Sequence, residues 1–345
     1  MSKNTAKVVS LYQAGQPSPY HLPAPQSRSA DLELAQATPQ LRNWARHLAS
    51  NSSIIRAVLD SRVSNGIGTG LTYEPLVRDR SGALLTEVNN SIRRMIDDWR
   101  KRPDVTGELC GGELERLAWR SWDTDGEIFA RKVIRASQAT LPYQIQLLES
   151  DQVPSGVYGG TTWVDGVEQD EWGAPVAYYP YRRRPDLYAR YDNIGILDDL
   201  IRLPAEDVYH LKRMVRPYQT RGLTLVHAVI FRVADISEYA QSHRLAARAS
   251  ADLFASINRG PNYETPKNPD GTDVDDARDW QFEHLQMIDG LAPDEQVNFH
   301  DPQHPNVNAT DFLHEELRQI AAGTRSSFSQ IANVFDRAYA AQRLE

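Results

Sequence analysis

Three carboxylates stand within five residues at Asp123, Asp125 and Glu127. Carboxylates this close together can hold a divalent cation, as they do in calcium loops and in metal-dependent nucleases. A calcium loop needs further oxygen ligands and a glutamate at its twelfth position, and the sequence supplies neither. Gly126 also stands where a turn before a strand would place it. A solvated turn is therefore the favoured interpretation, and a metal-dependent nuclease remains the rival.

Other residues with chemical potential lack the context that their chemistry requires. His300 and His304 have the four-residue spacing of helical metal ligands, but two prolines in that segment forbid a helix. Cys110 is the single cysteine, which excludes a disulfide framework and a multi-cysteine zinc site. The glycines of residues 66–70 follow a predicted helix and precede a predicted strand, the reverse of a phosphate-binding turn. We expect no catalytic residue, metal or cofactor.

Two small basic clusters remain, one at residues 182–184 and one from Lys212 to Arg221. Clustered arginines bind phosphates, but they also form forked pairs with carboxylates at subunit contacts. We favour subunit contacts over DNA, with Arg213, Arg216 and Arg221 as the candidates.

Composition limits the classes of protein that these residues could serve. The chain has 345 residues, enough for two or three domains, and a formal net charge of −8. Its pI of about 5.6 argues against a generic DNA-coating protein. The sequence has no apolar run near the ~20 residues that span a bilayer and no signal-peptide core at its start, so we expect a soluble protein without a membrane partner.

The acidity is concentrated in one segment. Residues 264–301 contain eleven acidic residues against two basic ones, a net charge of −9, which leaves +1 for the rest of the chain. This segment is also rich in Pro, Asn and Gly.

Periodicity and turn signals predict the elements that must position these residues. Residues 1–30 are rich in Pro, Ser and Gln and predict a mobile arm. The predicted helices lie at residues 40–65, 86–100, 112–122, 223–257 and 311–323. The first of these has two halves, with Asn51 and Ser52 as candidate caps of the second. Residues 143–211 are predicted to be β-rich, with a hairpin around Trp172 and Gly173. The sequence ends inside a helical pattern, which suggests a truncated C-terminus.

Several motifs along the chain resemble those of the lambda-type portal proteins of tailed bacteriophages. The most specific is Gln219-Thr-Arg221-Gly222-Leu-Thr224, which matches the family's Gln-x-Arg-Gly-(hydrophobic)-(Ser/Thr) pattern and precedes the long helix. Other matches follow in the family's order: Arg56–Asp60 with residues 66–70, Trp122 with 125–131, 146–151, 166–178, 312–323 and 339–343. Residues 324–327 and 335–338 depart from the family's pattern.

The resemblance implies an α+β portal fold with a mixed α/β wing, a long helical stem and an inserted clip, and with the C-terminal part missing. The implied divisions are a flexible arm at 1–40, the wing at 41–225, stem helices at 226–257 and 309–323, the clip at 258–308, and a tunnel loop with the start of the next helix at 324–345.

The resemblance also implies a homo-oligomeric ring, usually of twelve subunits, at a capsid vertex. Double-stranded DNA is packaged and ejected through it without sequence specificity. Its other partners would be the terminase motor, a head-tail adaptor, and capsid and scaffold proteins, with assembly in the host cytoplasm. A tail adaptor ring without a DNA role is a further alternative.

Two sets of residues follow from this implied architecture. The DNA-facing candidates are Arg318, Arg325 and Arg337, although these could instead pair with Glu315, Glu316 or Asp336 between neighbours. An acidic docking surface on the clip would comprise Asp270, Asp273, Asp275, Asp276, Asp279 and Glu283. A merely solvated acidic loop is the alternative for that segment.

Overall fold

A computed structural model describes residues 28–135, 141–155, 163–182, 200–252, 255–259, 267, 269–270, 295–299 and 309–332. The chain divides into two compact units, Met1–Ala228 and Val229–Glu345. Both contain helices and strands, so the predicted α+β class is confirmed. None of the helices within these ranges combines the length and the apolar character that a bilayer crossing requires.

Within the described residues, the first unit contains four α-helices, α1 (Ala30–Asn51), α2 (Ser53–Gly66), α3 (Thr86–Trp99) and α4 (Gly111–Asp125). The hydroxyl of Ser29 accepts a hydrogen bond from the Leu32 N–H, and acidic residues occupy the first turn of α1. Both features stabilise a helix N-terminus. The predicted arm of residues 1–40 is therefore wrong for its last eleven residues, which lie in α1.

Two antiparallel sheets complete the first unit. One has the order β2 (Tyr143–Leu148), β1 (Glu127–Ile134), β7 (Val208–Lys212). The other joins β3 (Trp163–Val164), β4 (Val167–Gln169), β5 (Pro175–Tyr178) and β6 (Leu203–Pro204) in sequence order. The β4–β5 pair confirms the predicted hairpin, with its turn at residues 170–173. The core between the sheets is formed by Phe129, Leu148, Val153, Val167, Tyr178, Leu203 and Val208.

The second unit contains α5 (Ile230–Asp252), α6 (Ala309–Thr324) and α7 (Phe328–Ala332), with a strand pair of β8 (Ala255–Arg259) and β9 (Glu295–Phe299). The predicted helix at 226–257 is correct in its middle and wrong at both ends. The observed helix α5 is preceded by a 3-10 turn at Leu225–Ala228. The last three residues of the predicted helix, 255–257, lie in β8. Ser256, Ile257 and Asn258 are poor helix formers, which favours the strand.

Candidate functional site

The junction between α4 and β1 positions the three clustered carboxylates. Helix α4 ends at Gly126, whose φ of 89° is in the left-handed region that glycine adopts readily. Asp123 and Asp125 lie in the last turn of the helix and Glu127 begins the strand. The side chains of all three residues are buried, and each binds a different guanidinium group.

Glu127 is at the centre of this arrangement and is fully buried. Its Oε1 accepts hydrogen bonds from Arg221 Nε at 2.8 Å and from Arg42 Nη2 at 3.1 Å. Its Oε2 accepts one from the Gly222 N–H at 2.8 Å and contacts His210 Nε2 at 3.0 Å. Burial alone would raise the pKa of Glu127, but the charge of Arg221 and the hydrogen bonds from His210 and Arg221 together outweigh burial and hold the pKa far below its usual range. Glu127 is therefore a carboxylate.

Arg221 is the largest fully buried side chain among the described residues. Besides Glu127, its guanidinium donates to three carbonyl oxygens: Ser150 at 2.9 Å, Val153 at 3.1 Å and Asp165 at 2.9 Å. The prediction that Arg221 forms a subunit contact is wrong, because all of these partners belong to its own chain and no face of the group reaches the surface. Its planar fork of donors suits this enclosed role.

His210 closes the cluster on the strand side. Its ring stacks on Phe129 with centroids 4.1 Å apart. Burial lowers the pKa of His210 despite the neighbouring Glu127 carboxylate, so the neutral imidazole donates its Nε2–H to that carboxylate. Tyr178 is also held in its neutral form, because burial and the charge of Glu127 raise the pKa of its hydroxyl to about 12.

An outer layer of ion pairs surrounds this centre. Asp123 binds Arg62 at 2.9 Å and also contacts Arg213, while Asp125 binds Arg46 at 2.9 and 2.7 Å. Asp151 binds both Arg42 and Arg46. Burial alone would raise the pKa of Asp151, but the charges and hydrogen bonds of Arg42 and Arg46 together outweigh burial and lower the pKa, so Asp151 is ionised. We call these nine residues the buried ionic cluster: Arg42, Arg46, Arg62, Asp123, Asp125, Glu127, Asp151, Arg213 and Arg221.

The buried ionic cluster gives the three carboxylates a structural role. Each of the three carboxylates is bound by at least one guanidinium group, and the three side chains do not converge on one point. Within the described ranges, no group of three or more His, Cys, Asp or Glu side chains is arranged to hold a metal ion. The arrangement joins α1, α2, α4, β1, the turn after β2 and the loop after β7 by charge pairing.

The loop after β7 explains the remaining residues of the Gln219–Thr224 motif. Gln219 accepts from the backbone N–H groups of Val215 and Arg216 and donates to the carbonyl oxygens of Arg213 and Arg221. A Cβ added to Gly222 would lie 2.1 Å from the carbonyl oxygen of Gly126, so only glycine fits. Thr224 accepts a hydrogen bond from the Val226 N–H at the start of the 3-10 turn.

Sequence reasoning missed five members or neighbours of the cluster: Arg42, Arg46, Arg62, Asp151 and His210. One signal for Arg42 is present in the sequence. The buried positions of α1 include Leu34, Thr38, Arg42 and Ala45, so an arginine occupies the inward-facing stripe of an amphipathic helix. A charge in such a stripe indicates a buried partner. The partner itself, 85 residues away, is not apparent from the pattern.

The other predicted contact residues lie at different depths. Arg213 is mostly buried and binds Asp123, so it too serves its own subunit. Arg216 is about two-fifths exposed, binds Glu33 at 2.9 Å and donates to the carbonyl oxygen of Arg28 at 2.9 Å. Arg216 remains a candidate for a subunit contact.

The DNA-facing and acidic candidates fall in the second unit. Arg318 is exposed on α6, with Glu315 at 3.5 Å and the Phe328 ring 5.4 Å from its guanidinium carbon. Arg325 is exposed in the loop between α6 and α7 and has a φ of 52°. Asp270 is exposed. Arg337, Asp273, Asp275, Asp276, Asp279 and Glu283 lie outside the described residues.

Comparison with known proteins adds a family to this geometry. The family model described as "Phage portal protein, lambda family" matches residues 22–345. The "Probable portal protein" of Halomonas phage phiHAP-1 is 27% identical over 321 residues, which are 88% of this chain and 60% of that protein. This chain thus spans less than two thirds of that relative's length.

Solved structures of gene transfer agent (GTA) particles are also similar. A chain in the neck of the empty GTA particle, computed with C6 symmetry, is 15% identical, with a TM-score of 0.47. A chain in the virion of the native particle is 14% identical, with the same TM-score. Each match covers 88% of this chain and 72% of the other.

Proposed function

Because the chain belongs to the lambda family of phage portal proteins, we propose that it forms the ring-shaped channel at one capsid vertex through which double-stranded DNA is packaged and ejected. The observation that carries this proposal is the family match, which extends over residues 22–345. The ring would contain twelve subunits, and its partners would be the terminase motor during packaging and head-tail connector proteins afterwards.

The second unit offers the parts that a channel needs. Helices α5 and α6 would form the stem, and the segment between them would form the clip. The pairing of β8 with β9 supports this assignment, because it brings together the two ends of that segment. The loop at residues 324–327, between α6 and α7, would face the channel.

Arg318, Arg325 and Arg337 would contact DNA weakly in that channel. Each phosphate that a protein neutralises adds affinity, so a uniformly basic channel would hold DNA too tightly for it to move. Replacing Arg325 and Arg337 with alanine should reduce DNA retention in packaged heads, since Arg325 is exposed in the loop. Unchanged packaging and retention would contradict the assignment.

The acidic segment at residues 264–301 would serve as a docking surface. In a ring of twelve, its net charge of −9 per chain would place roughly a hundred negative charges around one collar. Such a field would repel DNA from the rim and attract a motor or adaptor with basic residues. Replacing Asp273, Asp275, Asp276 and Asp279 with asparagine should weaken motor binding. Binding by the unaltered protein should also depend more steeply on salt concentration than binding by the variant.

The ATP-driven work of packaging would belong to a partner, because the sequence carries no nucleotide-binding motif. The purified protein should show no ATP turnover and should not cleave plasmid DNA with Mg²⁺ or Mn²⁺. Cleavage that disappears in an Asp125→Asn variant would favour the nuclease. We disfavour that alternative because the three carboxylates bind arginines.

The assembly itself tests the proposal most directly. Light scattering after size exclusion should give a mass of about 470 kDa for twelve chains of 39.0 kDa, and negative-stain images should show rings with a central hole. A protein that stays monomeric at all concentrations would refute the portal function. A ring whose hole is narrower than a DNA duplex would favour the adaptor.

A further inference from the structure

Two large aromatic side chains project from neighbouring turns of the first unit. Trp172, in the β4–β5 turn, is 78% exposed, and Tyr218, in the loop after β7, is 81% exposed. The turns touch, because a Cβ built on Gly173 would lie 3.4 Å from Cδ1 of Tyr218. We call Trp172 and Tyr218 the aromatic knob. Tryptophan and tyrosine are the side chains that most often carry the binding energy of protein interfaces.

The backbone holds Tyr218 in an unfavourable conformation. Its φ of 60° is in the left-handed region, which a bulky residue rarely adopts. Strain of this kind persists only where surrounding contacts enforce it, and it is concentrated at functional sites.

The contacts that enforce the strain lie on both sides of Tyr218. Gln219 Oε1 accepts from the Val215 N–H at 2.9 Å, and Lys212 Nζ donates to the Gln219 and Thr220 carbonyls at 2.8 and 3.1 Å. The Thr220 N–H donates to Asp31 at 2.7 Å. The ring of Tyr218 is thus presented on a rigid base, which lowers the entropy lost on binding.

A cleft that could receive the knob lies at the α1–α2 junction. It has a volume of about 390 Å³, ample for an aromatic side chain, and is lined by Ser50, Asn51, Ser52, Ser53, Arg56, Ala57 and Asp60. Arg56 is exposed and donates one hydrogen bond, to the Ser50 carbonyl oxygen at 2.9 Å. A guanidinium plane stacks well on an aromatic ring, and the polar rim suits a phenol hydroxyl.

The knob and the cleft lie at opposite ends of one helix. The knob's loop is bonded to Asp31 and Glu33 in the first turn of α1, whereas Ser50 and Asn51 end that helix. At 1.5 Å per residue, 22 residues span about 33 Å. The knob therefore cannot reach the cleft of its own chain, but it can reach the cleft of another copy.

We propose that the aromatic knob of one protomer docks in the α1–α2 cleft of the next. Two different surfaces meet in such a contact, so it is head-to-tail, and head-to-tail contacts are the kind that close into rings. This inference rests on the proposed ring and assigns residues to its subunit interface. Tyr218 would stack on the partner's Arg56, with Trp172 covering the edge of the contact.

Site-specific photocrosslinking tests the contact. Tyr218 is replaced by p-benzoylphenylalanine, which keeps an aromatic ring at the position, and assembled rings are irradiated. Tyr209, 61% exposed on β7, is replaced in the same way as the matched control. We expect Tyr218 to crosslink between chains to tryptic peptides His47–Arg56 or Ala57–Arg62, and the control to give neither product. Isotope-labelled and unlabelled chains, mixed before assembly, separate crosslinks between chains from those within one.

Each outcome decides the proposal. Rings whose Tyr218 crosslinks to other peptides, or to a different protein, would overturn the inference and leave the portal function standing. A wild-type chain that forms no rings would overturn both. In the protein without the photocrosslinking residue, Tyr218→Ala should raise the protein concentration at which half of the chains are assembled about tenfold or more, as truncation of an anchor residue does. Tyr209→Ala should leave that concentration unchanged.

Discussion

Replacing Arg221 with methionine should remove a large part of the stability of the first unit. Methionine fills a similar volume but donates no hydrogen bond. The Glu127 carboxylate would keep Arg42, His210 and the Gly222 N–H, but it would lose its nearest cation. The carbonyl oxygens of Ser150, Val153 and Asp165 would each lose a donor while remaining buried.

The magnitude follows from what is left behind. Removing one partner of a buried ion pair typically costs 3–5 kcal/mol, because the other charge stays buried without full compensation. Three residual contacts to Glu127 moderate this cost, and the loss of one donor at each of three buried carbonyl oxygens adds to it. We expect a loss of about 4 kcal/mol in the free energy of unfolding. A domain at the low end of the ordinary range of ~5–15 kcal/mol would then be close to unfolding at 37 °C.

The assay is urea denaturation followed by tryptophan fluorescence, with six of the seven tryptophans in the first unit. Arg120→Met is the matched control, because Arg120 pairs with Asp60 at the surface and should lose at most about 1 kcal/mol. The double variant Glu127→Gln/Arg221→Met should lose less than the sum of its single variants, because no buried charge is left uncompensated. If Arg221→Met costs no more than Arg120→Met, the buried ionic cluster does not stabilise the fold and our reasoning is wrong.

Four further predictions concern the first unit. Burial lowers the folded-state pKa of His210, so the unfolded chain binds an extra proton below pH 6.5. The free energy of unfolding should therefore fall as the pH decreases below 6.5, with a slope of up to ~1.4 kcal/mol per pH unit. The slope should be smaller in His210→Gln, as measured by urea midpoints between pH 5 and 7.5. Below about pH 4.5 the lowered pKa of Glu127 should add a second loss, present in the wild type and missing in Glu127→Gln. Gly126→Ala should lower the free energy of unfolding by several kcal/mol, because the new Cβ would lie 2.2 Å from the backbone carbonyl carbon of Leu223. Gly82 has the same φ of 89° but open space around it, so Gly82→Ala should cost only ~1 kcal/mol. Equal losses in the two variants would show that the close approach is unimportant. Tyr218→Gly should leave the thermal unfolding midpoint of the unassembled chain unchanged or slightly higher. The reason is that relief of ~1–2 kcal/mol of backbone strain offsets the greater conformational entropy that glycine loses on folding. A clear decrease in the midpoint would show that Tyr218 is not strained.

The sequence predicted the elements whose pattern is local. The helices at 86–100 and 311–323 and the β4–β5 hairpin are confirmed, because apolar periodicity and turn residues are sufficient to define them. The start of α1 was missed because its stripe includes Thr38 and Arg42 and the helix contains Pro39, so the apolar pattern is weak. The strand predicted after residues 66–70 is reduced to a single bridge between Arg78 and Leu84.

The site was predictable only in part, because its chemistry depends on distant partners. The Gln219–Thr224 motif and the carboxylates at 123–127 were both singled out, but nothing in the spacing showed that Arg221 meets Glu127. The energetic reason is that a buried charge is satisfied by tertiary structure alone. The sequence can show that a charged residue lies on an apolar face, but it does not show which distant residue pairs with that charge.

The sequence separations within the buried ionic cluster also have a kinetic consequence. Glu127 meets Arg42 from 85 residues upstream and Arg221 from 94 residues downstream. At ~5–20 residues per second, a ribosome needs about 5–20 s to synthesise the chain from Glu127 to Arg221. Until then, the strand that carries Glu127 cannot reach its final packing without burying a poorly compensated charge. The unit therefore folds late, after its last contributing segment has emerged, and a nascent chain cannot offer a finished surface to its neighbours before its own interior is complete.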